Sequence, residues 1–192
     1  PMKAVAFNGS PRKDGNTQQM LTKVLDPIAA AGIDTELVQV GGKPIHGCTA
    51  CMWCAENRKQ RCVIDVDELN SNLQKMLEAD AIILGSPSYF ADMTSDMKAL
   101  IDRSGFVAAT NGGLLAGKVG AAVAVHRRGG ATHVFDSINH FFLMSRMIVP
   151  GSIYWNFGVG RAPGEVESDQ EGLRNMEDLG ETIAWLLPRL KD

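Results

Sequence analysis

Cysteine is scarce in this chain of 192 residues: there are four, and all lie between Cys48 and Cys62. A secreted, disulfide-stapled domain distributes its cysteines, so this window argues against a disulfide framework. Aromatic residues are few, at 6%. Neither sign of charge is in excess, because 19 Lys and Arg face 22 Asp and Glu for a net charge of −3. That balance argues against general binding to nucleic acid or to anionic membranes. No apolar run reaches the ~18 residues needed to cross a bilayer. A polar, glycine-containing segment follows the first strand-like run at once, so no secretory leader is expected. A reducing, cytoplasmic location is the simplest expectation. What remains is an ordinary globular composition, 45% hydrophobic and 21% charged, with 20 glycines. One domain spanning residues 1–192 is expected, carrying a cysteine-rich loop at about 46–66.

Short apolar runs alternate with helical periodicities along the chain. Strands are expected at Lys3–Phe7, Thr35–Val40, Ala79–Leu84, Val119–Val125 and Met147–Ile153. The first helix is expected to be capped by Asn16 or Thr17, to be kinked or shortened by Pro27 and to end at Gly32. A second helix should open at Asp67 or Ser71, a third at a Ser95 cap, a fourth around Val134–Phe142 and a last from about Ser168 to Leu190. Five strands alternating with five helices, the strands mostly apolar rather than alternating, predict an α/β fold with helices on both faces of a parallel sheet. Ligands in such sheets sit outside the carboxyl ends of the strands, where the loops after strands one, three and four carry unusual residues.

Gly9-Ser-Pro-Arg-Lys-Asp-Gly-Asn-Thr17 joins the first strand to the first helix. Small hydroxyls, glycines, a cation pair and a helix N-terminus suit a phosphate. The spacing fits neither a triphosphate-binding loop nor a dinucleotide fingerprint, which leaves a monophosphate. The other reading is a tight turn with capping residues.

The segment Asn8–Thr17 resembles the flavin-phosphate loop of the NADPH-dependent FMN reductase family, which has the flavodoxin-like fold. Gly85-Ser-Pro-Ser-Tyr-Phe90, with Met93, Lys98 and Ile101-Asp-Arg103, resembles that family's second flavin loop and helix. Arg127-Arg-Gly-Gly130 resembles the third loop. Ala162–Glu165, Asp169–Gly172 and Leu179-Gly180 resemble the C-terminal part. The resemblance implies a doubly wound five-stranded parallel sheet of order 2-1-3-4-5. It also implies FMN: Ser10, Arg12, Asn16 and Thr17 would hold its phosphate. Pro87, Ser88, Tyr89 and Phe90 would lie against the ring, and Arg127, Gly129 and Gly130 would close over the pyrimidine end. An NAD(P)H donor rests on this resemblance alone. So does a homodimer or homotetramer whose subunits complete the site. No side-chain nucleophile is expected, since the flavin ring itself accepts hydride or electrons.

The cysteines are spaced Cys48-x2-Cys51-x2-Cys54-x7-Cys62. Soft sulfur ligands select iron–sulfur clusters or zinc, and zinc sites more often pair two knuckles across a longer gap. The spacing resembles the compact motif of the iron–sulfur flavoprotein branch, in which it ligates a 4Fe-4S cluster. Three readings stay open: a cluster on all four residues, reduced or redox-active thiols, and zinc. The four histidines, His46, His126, His133 and His140, are read as surface or satisfied core residues. Phe141–Met144 and Tyr154-Trp155 are read as core or subunit contacts. The expected function is an FMN-dependent redox flavoprotein with a small-molecule or protein acceptor. The alternative is a flavodoxin-like electron carrier or flavin-bound regulatory module without enzymatic turnover.

Overall fold

The computed structural model describes residues 1–191. Five parallel strands, β1 (Lys3–Asn8), β2 (Asp34–Gln39), β3 (Ala81–Pro87), β4 (Val119–His126) and β5 (Phe157–Val159), pair in the order β2-β1-β3-β4-β5. Helices α1 (Asn16–Ala30), α2 (Trp53–Asn57), α3 (Leu69–Glu78), α4 (Ser95–Thr110), α5 (Ala131–Met144) and α6 (Gln170–Arg189) complete the chain, with a 3-10 turn at Glu165–Ser168. The expected doubly wound sheet and its order are both present.

The pleat sorts the core into two layers. On β1, Val5 and Phe7 face the layer built with α3, α4 and α5, while Ala4 and Ala6 face α1 and α6. Strands covered on both faces need no polar alternation, which is why β1, β3 and β4 read as plain apolar runs. Cys54 and Cys62 belong to the first layer. The four free cysteines are thus split: Cys54 and Cys62 are buried, Cys48 and Cys51 exposed.

The fifth strand is not where the apolar run Met147–Ile153 predicts it. That run makes one bridge to the sheet, Val119 with Ile148, and then meets Pro150-Gly151. Proline supplies no ladder donor, so the chain leaves the sheet there. Ile153, Tyr154 and Trp155 are exposed, and pairing resumes only at Phe157. Asn156 manages the return: its side chain donates to the Ala122 carbonyl (2.9 Å), and its own carbonyl accepts from Ala124 N–H (3.0 Å).

Three smaller expectations also change. Asn16 and Thr17 are not caps but the buried first residues of α1, whose N-cap is Gly15. Thr94, not Ser95, caps α4 by accepting from Met97 N–H at 3.3 Å. Pro27 does not stop α1, which continues to Ala30 without the one ladder donor that proline lacks. A sixth helix, α2, lies within the cysteine segment.

Candidate functional site

β1 and β3 are neighbours whose connections leave in opposite directions, so a crevice opens beyond their carboxyl ends. A cavity of about 150 Å³, partly open to solvent, lies there. Ser10, Arg12, Asn16 and Thr17 line it from the first loop, Pro87, Ser88 and Tyr89 from the loop after β3, and Arg127 from the loop after β4.

The first loop is held by its own polar groups. Asn8 Oδ1 accepts from Ser10 N–H (3.0 Å), and Ser10 Oγ accepts from Arg12 N–H (3.2 Å). Gln39 on β2 donates to the carbonyls of Ser10 and Gly41, both at 2.7 Å. Thr94 Oγ1 donates to the Gly9 carbonyl at 2.7 Å, tying the loop to the start of α4. The two chains run close here: a Cβ on Gly41 would stand 2.3 Å from the Ser10 carbonyl carbon. Once the loop is fixed, α1 begins with no side-chain cap and no acidic residue in its first turn. Its first N–H groups are left for an outside acceptor, and the helix dipole favours an anion.

The expected phosphate residues divide by role. Ser10 and Thr17 are buried at the cavity wall. The Asn16 amide is spent elsewhere: it donates to the Ala162 carbonyl (2.9 Å) and accepts from Gly164 N–H (2.8 Å), so it joins α1 to the segment after β5. Arg12 donates to the Arg161 carbonyl at 2.9 Å, with guanidinium donors to spare.

Phe90, Gly129 and Gly130 are not on the cavity wall. Phe90 is fully exposed at the tip of a Tyr89–Asp92 turn whose two central residues, Phe90 and Ala91, have φ of 46° and 67°. Gly130 caps α5 at φ 89°, and a Cβ there would come within 2.3 Å of Ser88 Oγ. It therefore sets the spacing of two cavity loops without forming the wall. Gly129 has open space around it.

The structure adds Val125, His126, Gly160 and Arg161 to the wall. His126 corrects the reading of a surface or satisfied histidine: its Nδ1 is buried without a hydrogen-bond partner among the described residues. Its place at the carboxyl end of β4 is the signal that marks it. The two residues after β5 were hidden by the misplaced fifth strand.

A second, narrow cavity of about 20 Å³ is lined by Cys48, Cys51, Cys54 and Cys62 together with Ile64, Arg103 and Phe106. The four sulfurs stand around this space without converging on a point: among the described residues no three His, Cys, Asp or Glu side chains group to hold a single ion. The loop that carries them is bent by Ala50, Met52, Arg58 and Gln60, at φ of 52°, 61°, 48° and 53°. Each such residue costs about 1 kcal/mol or more without glycine. Two groups already donate to sulfur: Ala50 N–H to Cys48 Sγ (3.5 Å) and Arg103 Nε–H to Cys62 Sγ (3.4 Å).

Arg103 on α4 and Asp67 form an ion pair at 2.6 Å with both side chains wholly shielded from solvent. Burial alone would push the arginine down, but the bonds to Asp67 and Cys62 outweigh it and hold its pKa above the ordinary value. Burial would likewise raise Asp67, but hydrogen bonds from His46 N–H and from Arg103 hold its carboxyl below the usual range. Both groups are therefore charged at neutral pH.

Residues 2–162 match the model of the NADPH-dependent FMN reductase family. An iron–sulfur flavoprotein of Methanocaldococcus jannaschii is 40% identical over 197 aligned positions, covering 99% of this chain and 100% of the relative. Another, from Archaeoglobus fulgidus, is 36% identical over 185 positions, covering 95% and 79%. Among solved structures, RosB with bound 8-demethyl-8-formylriboflavin-5'-phosphate has a TM-score of 0.75 at 20% identity, over 100% of this chain and 81% of that one. A flavodoxin from the domain Archaea has a TM-score of 0.64 at 20% identity, over 97% and 99%. The structures show a shared flavodoxin-like fold; the family match and the archaeal relatives show that the chain belongs to the NADPH-dependent FMN reductase family and is similar to its iron–sulfur flavoproteins.

Proposed function

We propose that this chain is an FMN-dependent redox flavoprotein that takes reducing equivalents from NAD(P)H and passes them, through a 4Fe-4S centre on Cys48, Cys51, Cys54 and Cys62, to a small-molecule or protein acceptor. The observation that carries this reading is the gathering of all four cysteines of the chain around one cavity, in a fold whose strand-end crevice forms another. FMN interconverts two-electron and one-electron steps when bound, and a cluster carries single electrons.

The residues present fit both groups. The uncapped N-terminus of α1, Ser10, Thr17 and the free donors of Arg12 would receive the phosphate. Asn16 would keep that loop against Ala162–Gly164. Pro87 and Tyr89 would cover a ring face, with Arg127 at its polar end. The unpartnered Nδ1 of His126 supports a polar ligand atom in this cavity. Four cysteines lining one cavity at C-x2-C-x2-C-x7-C spacing favour an iron–sulfur centre over a zinc ion. The exposed Tyr89, Phe90, Tyr154 and Trp155 support a homodimer or homotetramer that shields the rim.

The test is absorption and iron analysis of anaerobically prepared protein, followed by stopped-flow reduction with NADPH and NADH. A flavin spectrum, about four irons per chain and reduction by either nucleotide are expected. Flavin without iron would remove the cluster and leave the reductase. Iron and flavin without reduction by either nucleotide would favour an electron carrier over an enzyme.

A further inference from the structure

The Arg103 guanidinium has five N–H donors and uses four, each on the cysteine segment or its flanks. Nε–H donates to Cys62 Sγ (3.4 Å). The first terminal nitrogen donates to the His46 carbonyl (3.1 Å) and to Asp67 Oδ2 (2.6 Å). The second donates to the Ile64 carbonyl (2.7 Å). His46 lies two residues before the first cysteine and Ile64 two residues after the last. One planar group thus holds both ends of the segment and the sulfur of one of its members.

A buried ion pair is a poor way to obtain stability alone, because well-packed apolar residues of similar volume serve as well or better. The aim of Arg103 Nε is equally telling. Its donation to Cys62 Sγ fixes the direction of a sulfur on the wall of the cavity that all four cysteines line. Cys62 is also the most constrained of the four. Asn70 Oδ1 accepts from its backbone N–H (2.8 Å), and Asn70 Nδ2 donates to its carbonyl (3.0 Å). Cys48 and Cys51 stand at the exposed side of the same cavity.

We propose that Arg103, balanced by Asp67, is the positioning residue that presents the Cys62 sulfur to the metal centre and sets the centre's reduction potential. The proposal rests on the iron–sulfur reading above. Reduction adds one negative charge to the centre, and a cation donating to a ligand sulfur favours that state. A carboxylate beside the cation opposes it. The two partners therefore push the potential in opposite directions.

The experiment is a potentiometric titration of anaerobically purified wild type, Arg103→Gln, Arg103→Lys and Asp67→Asn, monitored by electron paramagnetic resonance of the reduced centre. Bound flavin and iron content are measured in parallel. Arg103→Gln is expected to lower the one-electron reduction constant about tenfold, which is 59 mV. Arg103→Lys should restore part of that loss, and Asp67→Asn should raise the constant above wild type. Should Arg103→Gln retain flavin but no iron, the lysine and asparagine variants decide by the same two signs. Shifts of one sign in Arg103→Gln and Asp67→Asn, or a wild-type potential in Arg103→Gln with full iron, would overturn the proposal alone. An iron-free wild type would overturn it together with the iron–sulfur reading.

Discussion

The loop from Gly9 to Thr17 and the loop from Gly47 to Cys62 are both backbone-rich and lie in the same domain, yet they are built differently. The first has one non-glycine residue at positive φ, Asp14 at 59°; the second has four. The first is a strand-to-helix junction, so its donors come from the end of α1 and from small side chains that satisfy one another. The second contains only the five-residue helix α2 and is held from outside, by Arg103, Asp67, Asn70 and Asn111. A phosphate site can be inherited from a fold. The cysteine loop is instead bent through four left-handed residues, and bending costs conformational energy that the rest of the molecule has to offset.

That contrast can be broken by cutting each loop's supports. The largest effect is expected for Asn16→Ala, which leaves Gly164 N–H and the Ala162 carbonyl without their partner. Thermal unfolding should show a loss of roughly 2–4 kcal/mol, and FMN titration a weaker affinity, while iron content stays unchanged. Iron lost in parallel with flavin would mean that the two loops are one cooperative unit. Next comes Gly130→Ala, which adds a Cβ at φ 89° and 2.3 Å from Ser88 Oγ. A cost of about 2 kcal/mol in denaturant unfolding is expected; a neutral result would show that the loops after β3 and β4 are free to shift.

The opposite sign is expected for Ala50→Gly or Met52→Gly. Iron-free protein should gain about 1 kcal/mol as a left-handed residue is relieved. Glycine at Asp14 gives the comparison for the first loop. The smallest effect is outside both loops. Glu36 bonds to Lys3 (2.8 Å) and to Lys75, which lowers its carboxyl from the ordinary 4.5. A depressed carboxylate stabilises fully above its unfolded value and loses that contribution as pH falls through its folded value. Glu36→Gln should therefore cost up to about 1 kcal/mol at pH 7 and less at pH 3, with flavin and iron content unaltered.

The alternation of strands and helices was legible in local pattern, and the sheet order came through the family resemblance carried by motifs that are continuous in sequence. The fifth strand was not legible. Met147–Ile153 is more apolar than Phe157–Val159, but Pro150 forbids the ladder and Asn156 supplies the pairing that hydrophobicity does not advertise. The family resemblance puts Asn16 at the phosphate; that its amide also makes a contact 146 and 148 residues away in the chain is not legible locally. Arg103 lay within a recognised motif, but its partners come from residues 46 to 67, and no local spacing announces such a junction.

Helix α4 reaches both regions. Thr94 at its cap holds the Gly9 carbonyl, and Arg103, nine residues on, holds Cys62. At 1.5 Å per residue the two anchor points are about 14 Å apart along the axis. The helix is therefore a ruler, and its graduation is angular as well as linear. One inserted residue between Thr94 and Arg103 would lengthen it by about 1.5 Å and turn the guanidinium by about 100°. Loops elsewhere can absorb insertions; here the count of residues is itself the specification that keeps one end on the Gly9 carbonyl and the other on the Cys62 sulfur.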